Sequence, residues 1–416
     1  MDASPRPRLS LPVLGTLVIL GFTSGLPLNL TQSTLLAKLG DAGVGLVAMG
    51  FFSLVGLPYT VKFLWAPLLD RYRPPFLGRR RGWMLVTCLV LAAAIALLGW
   101  ADPHDHLRMV IGFAVAVAFL SASADISIDA YRTEFLPSPL AGPGTSVHIT
   151  GYRLGMVFAG ALALVLADRL PWSVVYAIMA LGLLPGIVLA FRAPEPEGLV
   201  TPRTLREAVV EPFKEFLQRR RALEVLAFIL LYKLGDNLCS SLNMPFLRQL
   251  GFSKTEIGLA MKVVGMACLI GGGILGGLVM ARWSLIKSLW LFGILQMVSM
   301  SGHVALALMG KNHLMLLVTV GVENSIFAMG TVAYLALIQR CCNLKNTGTQ
   351  FALLSSLSAF ARVLFASPAG ILAKSYGWPV FFLTCMALAI PGLLLLTRFS
   401  GWELAEPVAP LLGQKH

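Results

Sequence analysis

The chain contains about twelve apolar runs, each of them long enough to cross a lipid bilayer as a helix. Only 13% of its 416 residues are charged and 57% are hydrophobic, whereas a soluble domain carries about 25% charged residues. Lipid rather than water therefore surrounds most of this chain. We predict an all-α transmembrane protein with one polytopic membrane domain.

The connections divide these runs into two groups of six. Most are short, but a charged and proline-rich stretch separates the sixth run from the seventh. Within that stretch, residues 204–218 fit either an amphipathic surface helix or a plain solvated linker. The predicted spans are 11–37, 44–68, 83–100, 108–133, 146–168, 172–191, 222–248, 255–281, 285–308, 313–339, 347–373 and 377–397. The predicted domains are a six-helix bundle at 1–192, a cytoplasmic linker at 193–221, a second six-helix bundle at 222–398 and a cytoplasmic tail at 399–416.

The two halves carry a faint internal repeat at an offset of about 211 residues. Residues 69–72 (Leu-Asp-Arg-Tyr) follow the second span, and residues 280–283 (Met-Ala-Arg-Trp) follow the eighth. Repeated halves are typical of the major facilitator fold, in which two six-helix bundles are related by a pseudo-two-fold axis. We predict that fold.

The positive charge of the chain lies mainly in loops. A formal net charge of +13 would by itself fit a nucleic-acid-binding protein. However, the Lys and Arg residues cluster in loops on one predicted side of the membrane, which indicates a cytoplasmic side. We expect a lipid bilayer and no nucleic acid as partner, with both termini cytoplasmic. The six cysteines lie at spacings that match no zinc site, so we predict no disulfide and no metal.

A few charged residues lie inside the predicted spans, and their positions repeat with every group of three spans. They fall in the first or second span of each successive group of three, while the third span has none in its interior. A charge in hydrocarbon is costly unless it faces a cavity or a partner. This repeat of charged spans therefore predicts a transporter built from helix triplets around a polar central path.

Asp125 and Asp129 are the most informative of these charges. They lie four residues apart in the fourth span, so they share one helix face. Two carboxylates in a low-dielectric setting repel, and we expect at least one of them to take up a proton near neutral pH. Reversible protonation is what a proton-coupled carrier requires. We predict a proton-coupling pair, and a structural ion pair with basic residues is the alternative.

Basic residues in the spans are candidates for substrate binding. Arg153, in the fifth span, could hold one of the aspartates with two parallel hydrogen bonds, or it could bind an anionic substrate. Lys62 lies near the predicted cytoplasmic end of the second span, where its side chain could extend to the interface. Bases slightly outnumber acids in the spans, which favours an anionic ligand.

The second half supplies further candidates of the same kinds. Lys233 and Asp236, three residues apart in the seventh span, either neutralise each other or contact substrate. Lys262 and Arg362 are candidates for anion binding, and Glu323 is a candidate for a second proton site. For His148 and His303, near span ends, we expect ordinary polar contacts.

The loop after the second span combines Asp70 and Arg71 with Arg79 and Arg80. Anchoring at the inner leaflet explains the arginines but not the aspartate. An aspartate followed by a Gly-Arg-Arg stretch resembles the corresponding loop of major facilitator carriers. The resemblance implies that Asp70 helps to latch the two bundles together on the cytoplasmic side.

Gly25 and Pro27 interrupt the first span. Small residues let transmembrane helices approach closely, so a packing role is one interpretation. The other interpretation is that this helix, with its small side chains, lines the interface along which the two bundles move during transport.

The chain lacks the motifs of the common membrane-associated enzymes. It has no phosphate-cradling Gly-x-x-x-x-Gly-Lys-Ser/Thr sequence and no His-Glu-x-x-His. We predict that the protein is not an enzyme, uses no cofactor and is driven by an ion gradient.

Six motifs taken together resemble the AmpG muropeptide permeases. They lie at residues 21–27, 50–56, 62–72, 78–83, 121–125 with 129–130, and 151–156. The resemblance implies a twelve-span importer in the bacterial inner membrane, driven by protons. Its implied substrates are N-acetylglucosaminyl-1,6-anhydromuramyl peptides, taken up for peptidoglycan recycling and linked to β-lactamase induction. One departure is Ala124, where the family often has a glutamine.

Muropeptides carry carboxylates and sugars, which suit a basic cavity and the polar Asn29 and Gln32 of the first span. Two alternatives stay open. One is import of another bulky organic anion such as a siderophore, and the other is a membrane receptor or channel that does not transport by alternating access. The paired carboxylates favour a carrier, because a channel needs no proton-titrating pair.

Overall fold

The computed structural model describes residues 9–45, 52–196, 202 and 204–402, and only the backbone of 53, 138, 254, 255, 359–369 and 400. These residues form helices joined by short turns, and within the described ranges no strand occurs. The helices of the first half are α1 (Leu11–Leu30), α2 (Ser33–Asp41), α3 (Leu57–Val61), α4 (Ala66–Arg71), α5 (Arg79–Trp100), α6 (Leu107–Phe135), α7 (Ala141–Val157), α8 (Ala163–Ala167), α9 (Trp172–Leu181) and α10 (Leu184–Arg192).

The second half continues the same pattern. Its helices are α11 (Leu205–Gln218), α12 (Ala222–Leu231), α13 (Leu234–Ser241), α14 (Asn243–Gln249), α15 (Lys254–Gly258), α16 (Gly265–Arg282), α17 (Leu285–Ser299), α18 (Ser301–Met309), α19 (His313–Cys341) and α20 (Thr347–Leu395). Short 3₁₀ turns occupy Phe52–Gly56, Lys62–Leu64, Ser138–Leu140, Leu344–Asn346 and Leu396–Gly401, and π-helical turns occupy Phe158–Leu162 and Leu259–Val264.

Ten helices in the described part of the chain are long and apolar enough to cross a membrane. They match ten of the twelve predicted spans. The second predicted span, 44–68, includes residues 46–51, which lie outside the described residues, and contains a shorter apolar helix at Leu54–Leu64. The eleventh, 347–373, belongs to α20, which continues across a non-helical residue, Gly377.

The interruptions within spans have local causes. α1 contains Pro27, which has no backbone N–H to donate, and the chain turns at Thr31 before α2 begins. At Gly377 the backbone adopts φ 79°, a conformation that glycine accepts without steric cost. The amphipathic helix predicted at residues 204–218 is present as α11, so a plain solvated linker is excluded there.

The chain forms two compact units. One comprises the chain up to Phe213 together with Cys342–Ser356, a segment that comes from the second half of the sequence. The other comprises Lys214–Cys341 and Leu357–Leu404. The domain boundaries at 192, 221 and 398 stay predictions, and residues 403–416 of the predicted tail lie outside the described residues.

Glycines bring α1 and α7 into close contact in the first unit. A Cβ on Gly21 or Gly25 would overlap backbone carbonyl oxygens of α7, and a Cβ on Gly151 or Gly155 would overlap those of α1. On each helix the two glycines are four residues apart and so lie on one face. Close backbone approach through small residues is a common way for transmembrane helices to associate.

The second unit contains a similar contact between α16 and α19. A Cβ on Gly272 would overlap the backbone oxygen of Ser325, and one on Gly276 would lie 2.9 Å from the Cα of Met329. Among the described residues, glycines therefore have the predicted packing role in both units.

We predict that Gly155→Val destabilises the protein, because the new side chain would force α1 and α7 apart. Overpacking of this kind costs about 1–3 kcal/mol or more. Thermal unfolding of purified protein in detergent measures the loss. Gly112→Val is the matched control, since a Cβ on Gly112 meets no atom of the described residues within 4 Å. Equal melting temperatures for the two variants would contradict the close contact.

Candidate functional site

The paired carboxylates of the fourth predicted span lie on α6, one helical turn apart. Asp125 is only 9% exposed and accepts a hydrogen bond from the hydroxyl of Ser24 on α1. No ion pair to Asp125 is found among the residues that the structure describes. Its carboxyl group is therefore buried beside a neutral donor.

Asp129 has a different environment from Asp125. One carboxylate oxygen lies 3.8 Å from Nζ of Lys62, and the other lies 3.3 Å from Nη2 of Arg132. Both cationic side chains are buried, with 9% and 1% of their surface exposed. Coulomb attraction is strong in a low-dielectric setting, so Asp129 holds the two cations together.

Two of these contacts correct or extend the sequence analysis. The interpretation that Lys62 extends to the interface was wrong, because Lys62 is buried against Asp129. Arg132 was missed, although its position three residues after Asp129 on one helix is a spacing at which charges interact. Its Nη1 also donates to Thr145 at 2.7 Å, which holds the guanidinium in place.

The other polar candidates of the first unit lie on α1, α7 and the break after α1. Asn29 donates through Nδ2 to the backbone oxygen of Met156 at 2.7 Å. Gln32 is exposed at the break between α1 and α2. Arg153 is buried on α7, with 6% of its surface exposed. Its role as a partner of an aspartate or of the ligand stays a prediction.

In the second unit Lys233 and Asp236 form an ion pair of 3.2 Å, and both residues are buried. Lys233 also lies 3.2 Å from Oε1 of Gln296 and donates to the backbone oxygen of Phe327 at 3.3 Å. Its ammonium group lies 4.2 Å from the centre of the Phe327 ring, a cation–π distance. The pair is thus neutralised locally and fixed by further contacts.

Glu323 on α19 lies beside two side chains from other helices. Its Oε2 is 3.4 Å from Nε2 of His303 on α18, and its Oε1 is 3.7 Å from Sγ of Cys239 on α13. The position of His303 near a span end predicted only ordinary polar contacts. Instead, His303 is 3% exposed and takes part in a three-residue polar cluster inside an apolar core.

The last two basic candidates for substrate binding are Lys262 and Arg362, and the structure describes the side chain of only the first. Lys262 is exposed, and it lies in the π-helical turn Leu259–Val264. Such turns often occur at functional sites. Arg362 belongs to α20, but its side chain lies outside the described residues.

A second charged cluster surrounds Asp70 at the end of α4. Asp70 is fully buried, and its Oδ1 accepts a hydrogen bond of 2.7 Å from Nη1 of Arg80. Its Oδ2 accepts two hydrogen bonds of 2.7 Å, from the backbone N–H and the hydroxyl of Thr349 in the first turn of α20. A carboxylate at a helix N-terminus satisfies a free N–H and interacts favourably with the helix dipole.

Glu134, near the end of α6, completes this cluster. Its Oε1 lies 2.5 Å from Nη2 of Arg80 and 3.3 Å from Nη2 of Arg79, and its side chain is fully buried. The cluster therefore contains two acids and two arginines and has no net charge. The sequence analysis found three of the four members through the loop motif. Glu134 was missed, because it is more than fifty residues away in sequence.

Arg71 and Lys345 lie outside this cluster. The guanidinium of Arg71 lies 5.6 Å from the centre of the Tyr72 ring. Lys345, before α20, donates to Glu207 at 2.6 Å and to Glu211 at 3.0 Å, both on α11. These hydrogen bonds raise the pKa of Lys345. α11 is thus tied to the segment Cys342–Ser356 by charge-assisted bonds.

Helical spans with buried, partnered charges are typical of membrane transport proteins of the secondary-carrier class. The family model of the Major Facilitator Superfamily matches residues 13–366. Two solved structures have similar folds. The proton:xylose symporter XylE has a TM-score of 0.72 and 12% sequence identity, over 93% of this chain and 95% of that one. The Escherichia coli fucose:proton symporter FucP has a TM-score of 0.73 and 14% sequence identity, over 95% of this chain and 100% of that one. The chain therefore belongs to the Major Facilitator Superfamily and has the predicted fold.

A relative with a similar sequence shows which group within the superfamily the chain belongs to. The Anhydromuropeptide permease of Escherichia coli is 46% identical over 388 residues, which cover 92% of this chain and 79% of the relative. The resemblance seen in the sequence is confirmed, and the chain belongs to the AmpG muropeptide permeases within the superfamily. It is a multi-pass membrane protein that transports a small molecule, and it is not an enzyme.

We predict that Glu134→Gln strongly destabilises the protein, because it removes an acid that contacts two buried arginines. Loss of one partner of a buried ion pair costs about 3–5 kcal/mol. Thermal unfolding in detergent measures the effect. Glu224→Gln is the control, because Glu224 forms partly exposed pairs with Arg221 and Arg398 and such pairs contribute about 0–1 kcal/mol. Similar losses for both variants would show that the Asp70 cluster is not structurally important.

Proposed function

We propose that this protein imports anhydromuropeptides across the bacterial inner membrane, driven by protons, for peptidoglycan recycling. The name of the 46% identical relative supports the substrate class. The observation on which proton coupling rests is the unequal environment of the two carboxyl groups on α6. Asp129 has two buried cationic partners, whereas Asp125 is bonded to a hydroxyl.

We assign the two aspartates different roles. Asp129 is the shared anion of Lys62 and Arg132 and holds these cations in place. Asp125 carries the proton, because burial penalises its charge and its described partner is the neutral Ser24 hydroxyl. A hydroxyl suits both states, since it donates to a carboxylate and accepts from a protonated carboxyl group.

Counting charges suggests how protons and substrate are coupled. When both aspartates are ionised, they balance Lys62 and Arg132, and the group of four has no net charge. When Asp125 binds a proton, the same group has one net positive charge. In a low-dielectric setting this charge attracts an anion. A carboxylate of the muropeptide peptide would therefore bind more tightly after Asp125 is protonated, which is the coupling that a symporter needs.

The predicted substrate-binding residues are divided between the two units. Arg153, Gln32 and Asn29 belong to the first. The side chain of Asn29 already bonds to α7, so we propose that its free carbonyl oxygen rather than its amide NH₂ faces the sugars. Lys233, Asp236, Lys262 and Arg362 are the candidates of the second unit. Glu323 stays a candidate for a second proton site.

The Asp70 cluster is the proposed gating element. Asp70 joins Arg80 to the first turn of α20, so breaking these bonds would release that turn. Arg79 contacts the backbone oxygen of Asp70, and Arg71 adds positive charge at the proposed inner leaflet. This assignment assumes that both termini are cytoplasmic, which the distribution of Lys and Arg supports. Gly25 and Pro27 lie on α1, the helix that carries Ser24.

We predict that vesicles containing the protein accumulate labelled anhydromuropeptide above the external concentration only when a pH gradient is imposed, acid outside. Vesicles with a dissipated gradient are the control. A channel would only equalise the two concentrations, and a receptor would show saturable binding without uptake. If an excess of unlabelled siderophore competed fully and unlabelled muropeptide did not, the organic-anion alternative would replace our proposal.

We predict that Asp125→Asn abolishes gradient-driven accumulation but retains exchange of labelled for unlabelled substrate. A neutral amide mimics the protonated state, so the site can bind substrate but cannot release a proton. Asp129→Asn should impair both activities, because Lys62 and Arg132 lose their shared anion. Asp105→Asn, on a carboxylate with 68% exposure, is the control. Normal accumulation by Asp125→Asn would refute the assignment of the proton to this residue.

A further inference from the structure

Cys239 and His303 have no part in the proposed function, and Glu323 enters it only as a candidate for a second proton site. The three residues lie on α13, α18 and α19 and are between 20 and 84 positions apart in sequence. One thiol, one imidazole and one carboxyl group thus converge from three separate helices. From this geometry we propose that the second unit binds a divalent transition-metal ion, with Zn²⁺ as the reference case, through these three side chains.

The distances are close to those of a tetrahedral site. With ordinary Zn–S, Zn–N and Zn–O bonds, neighbouring ligand atoms in a tetrahedron lie about 3.4–3.6 Å apart. Here the carboxylate lies 3.7 Å from Sγ of Cys239 and 3.4 Å from Nε2 of His303, while the 3.9 Å contact of the thiol is to the other ring nitrogen, Nδ1. An imidazole gives an ion only one nitrogen, and one ligand atom from each residue lies within 4.8 Å of the other two. Side-chain rotations that draw these atoms together by about 1 Å would enclose an ion.

The charges of the three ligands also suit the location. A thiolate, a carboxylate and a neutral imidazole balance the two positive charges of the ion, so the complex is electroneutral. The surrounding core is apolar and aromatic, with Phe246 and Phe382 against the His303 ring. A net charge would be expensive in such a core, whereas a neutral complex is not. The thiol proton, and any proton on Glu323, leave when the ion binds.

A fourth polar group lies next to the cluster. Asn243 on α14 adjoins the carboxyl group of Glu323. Asn243 is only 8% exposed, and its Oδ1 has no hydrogen-bond partner among the residues that the structure describes. Buried amide oxygens normally have a partner, and an amide oxygen can act as a metal ligand. The Glu323 side chain is 13% exposed, which gives the ion a route to the ligands.

The sequence alone offers no sign of this site. Zinc motifs are recognised by short spacings between ligands, whereas these ligands come from separate helices. Soft sulfur and imidazole donors favour Zn²⁺ and Co²⁺ over Mg²⁺ and Ca²⁺, which prefer oxygen ligands. A bound ion would join α13, α18 and α19 and so restrict any movement between them.

Titration of the purified full-length protein with Co²⁺ tests this site. We expect a thiolate-to-Co²⁺ charge-transfer band together with the visible bands of a tetrahedral ion, and release of protons as the ion binds. Cys239→Ser should remove the charge-transfer band, and Glu323→Gln should weaken Co²⁺ binding at least about tenfold. Cys268→Ser is the matched control, since Cys268 lies on α16 outside the cluster and its loss should leave the spectrum unchanged.

Thermal unfolding with Zn²⁺ gives a second measurement. An ion that binds only the folded state raises the melting temperature, so Zn²⁺ should stabilise the unaltered protein and Cys268→Ser but not Cys239→Ser. Glu323→Gln keeps the shape of the side chain and serves if Cys239→Ser does not fold. Absence of the charge-transfer band in the unaltered protein, or its persistence in Cys239→Ser, would overturn the proposal. Because uptake is not measured, these outcomes are independent of the proposed function.

Discussion

A charge in a lipid-embedded helix needs a partner or a polar cavity, because an isolated charge in hydrocarbon is too costly to bury. The Asp70 cluster meets that need with two acids and two arginines, all of them buried. Arg80 contacts both acids, at 2.7 Å and 2.5 Å. The cluster determines where the end of α4, the start of α5, the end of α6 and the first turn of α20 lie. Neutralisation of buried charge therefore positions four elements at once.

Close helix contact makes the carboxyl site possible. α1 packs against α7 through glycines on both helices, so the backbone of α1 is fixed where Ser24 reaches Asp125. Ser24 lies directly before Gly25, whose missing side chain lets α1 approach α7. The packing and polar roles of this helix thus belong to adjacent residues. A single small-residue face serves both the stability of the unit and the geometry of its site.

The sequence was sufficient for features that depend on local pattern. Apolar run length predicted ten of the described spans, helical spacing placed Asp125 and Asp129 on one face, and the loop motif found Asp70 and Arg80. Features that depend on tertiary contact could not be predicted. Glu134 has no local signal that distinguishes it from a solvated acid at a helix end, yet it is fully buried. The same holds for the contact of Lys62 with Asp129 and for the cluster around Glu323.

The two units neutralise their buried charges in a similar way. Each contains an ion pair three residues apart on one stretch of chain, Asp129 with Arg132 in the first unit and Lys233 with Asp236 in the second. Each also contains a second carboxyl group that contacts an uncharged donor, the Ser24 hydroxyl at Asp125 and the Cys239 thiol at Glu323. In our proposal, Asp125 beside the hydroxyl carries a proton and Glu323 beside the thiol binds an ion, whereas Asp129 and Asp236 hold their neighbouring cations in place. Under this proposal, the partner of each carboxyl group, rather than its depth in the membrane, distinguishes structural from variable charges.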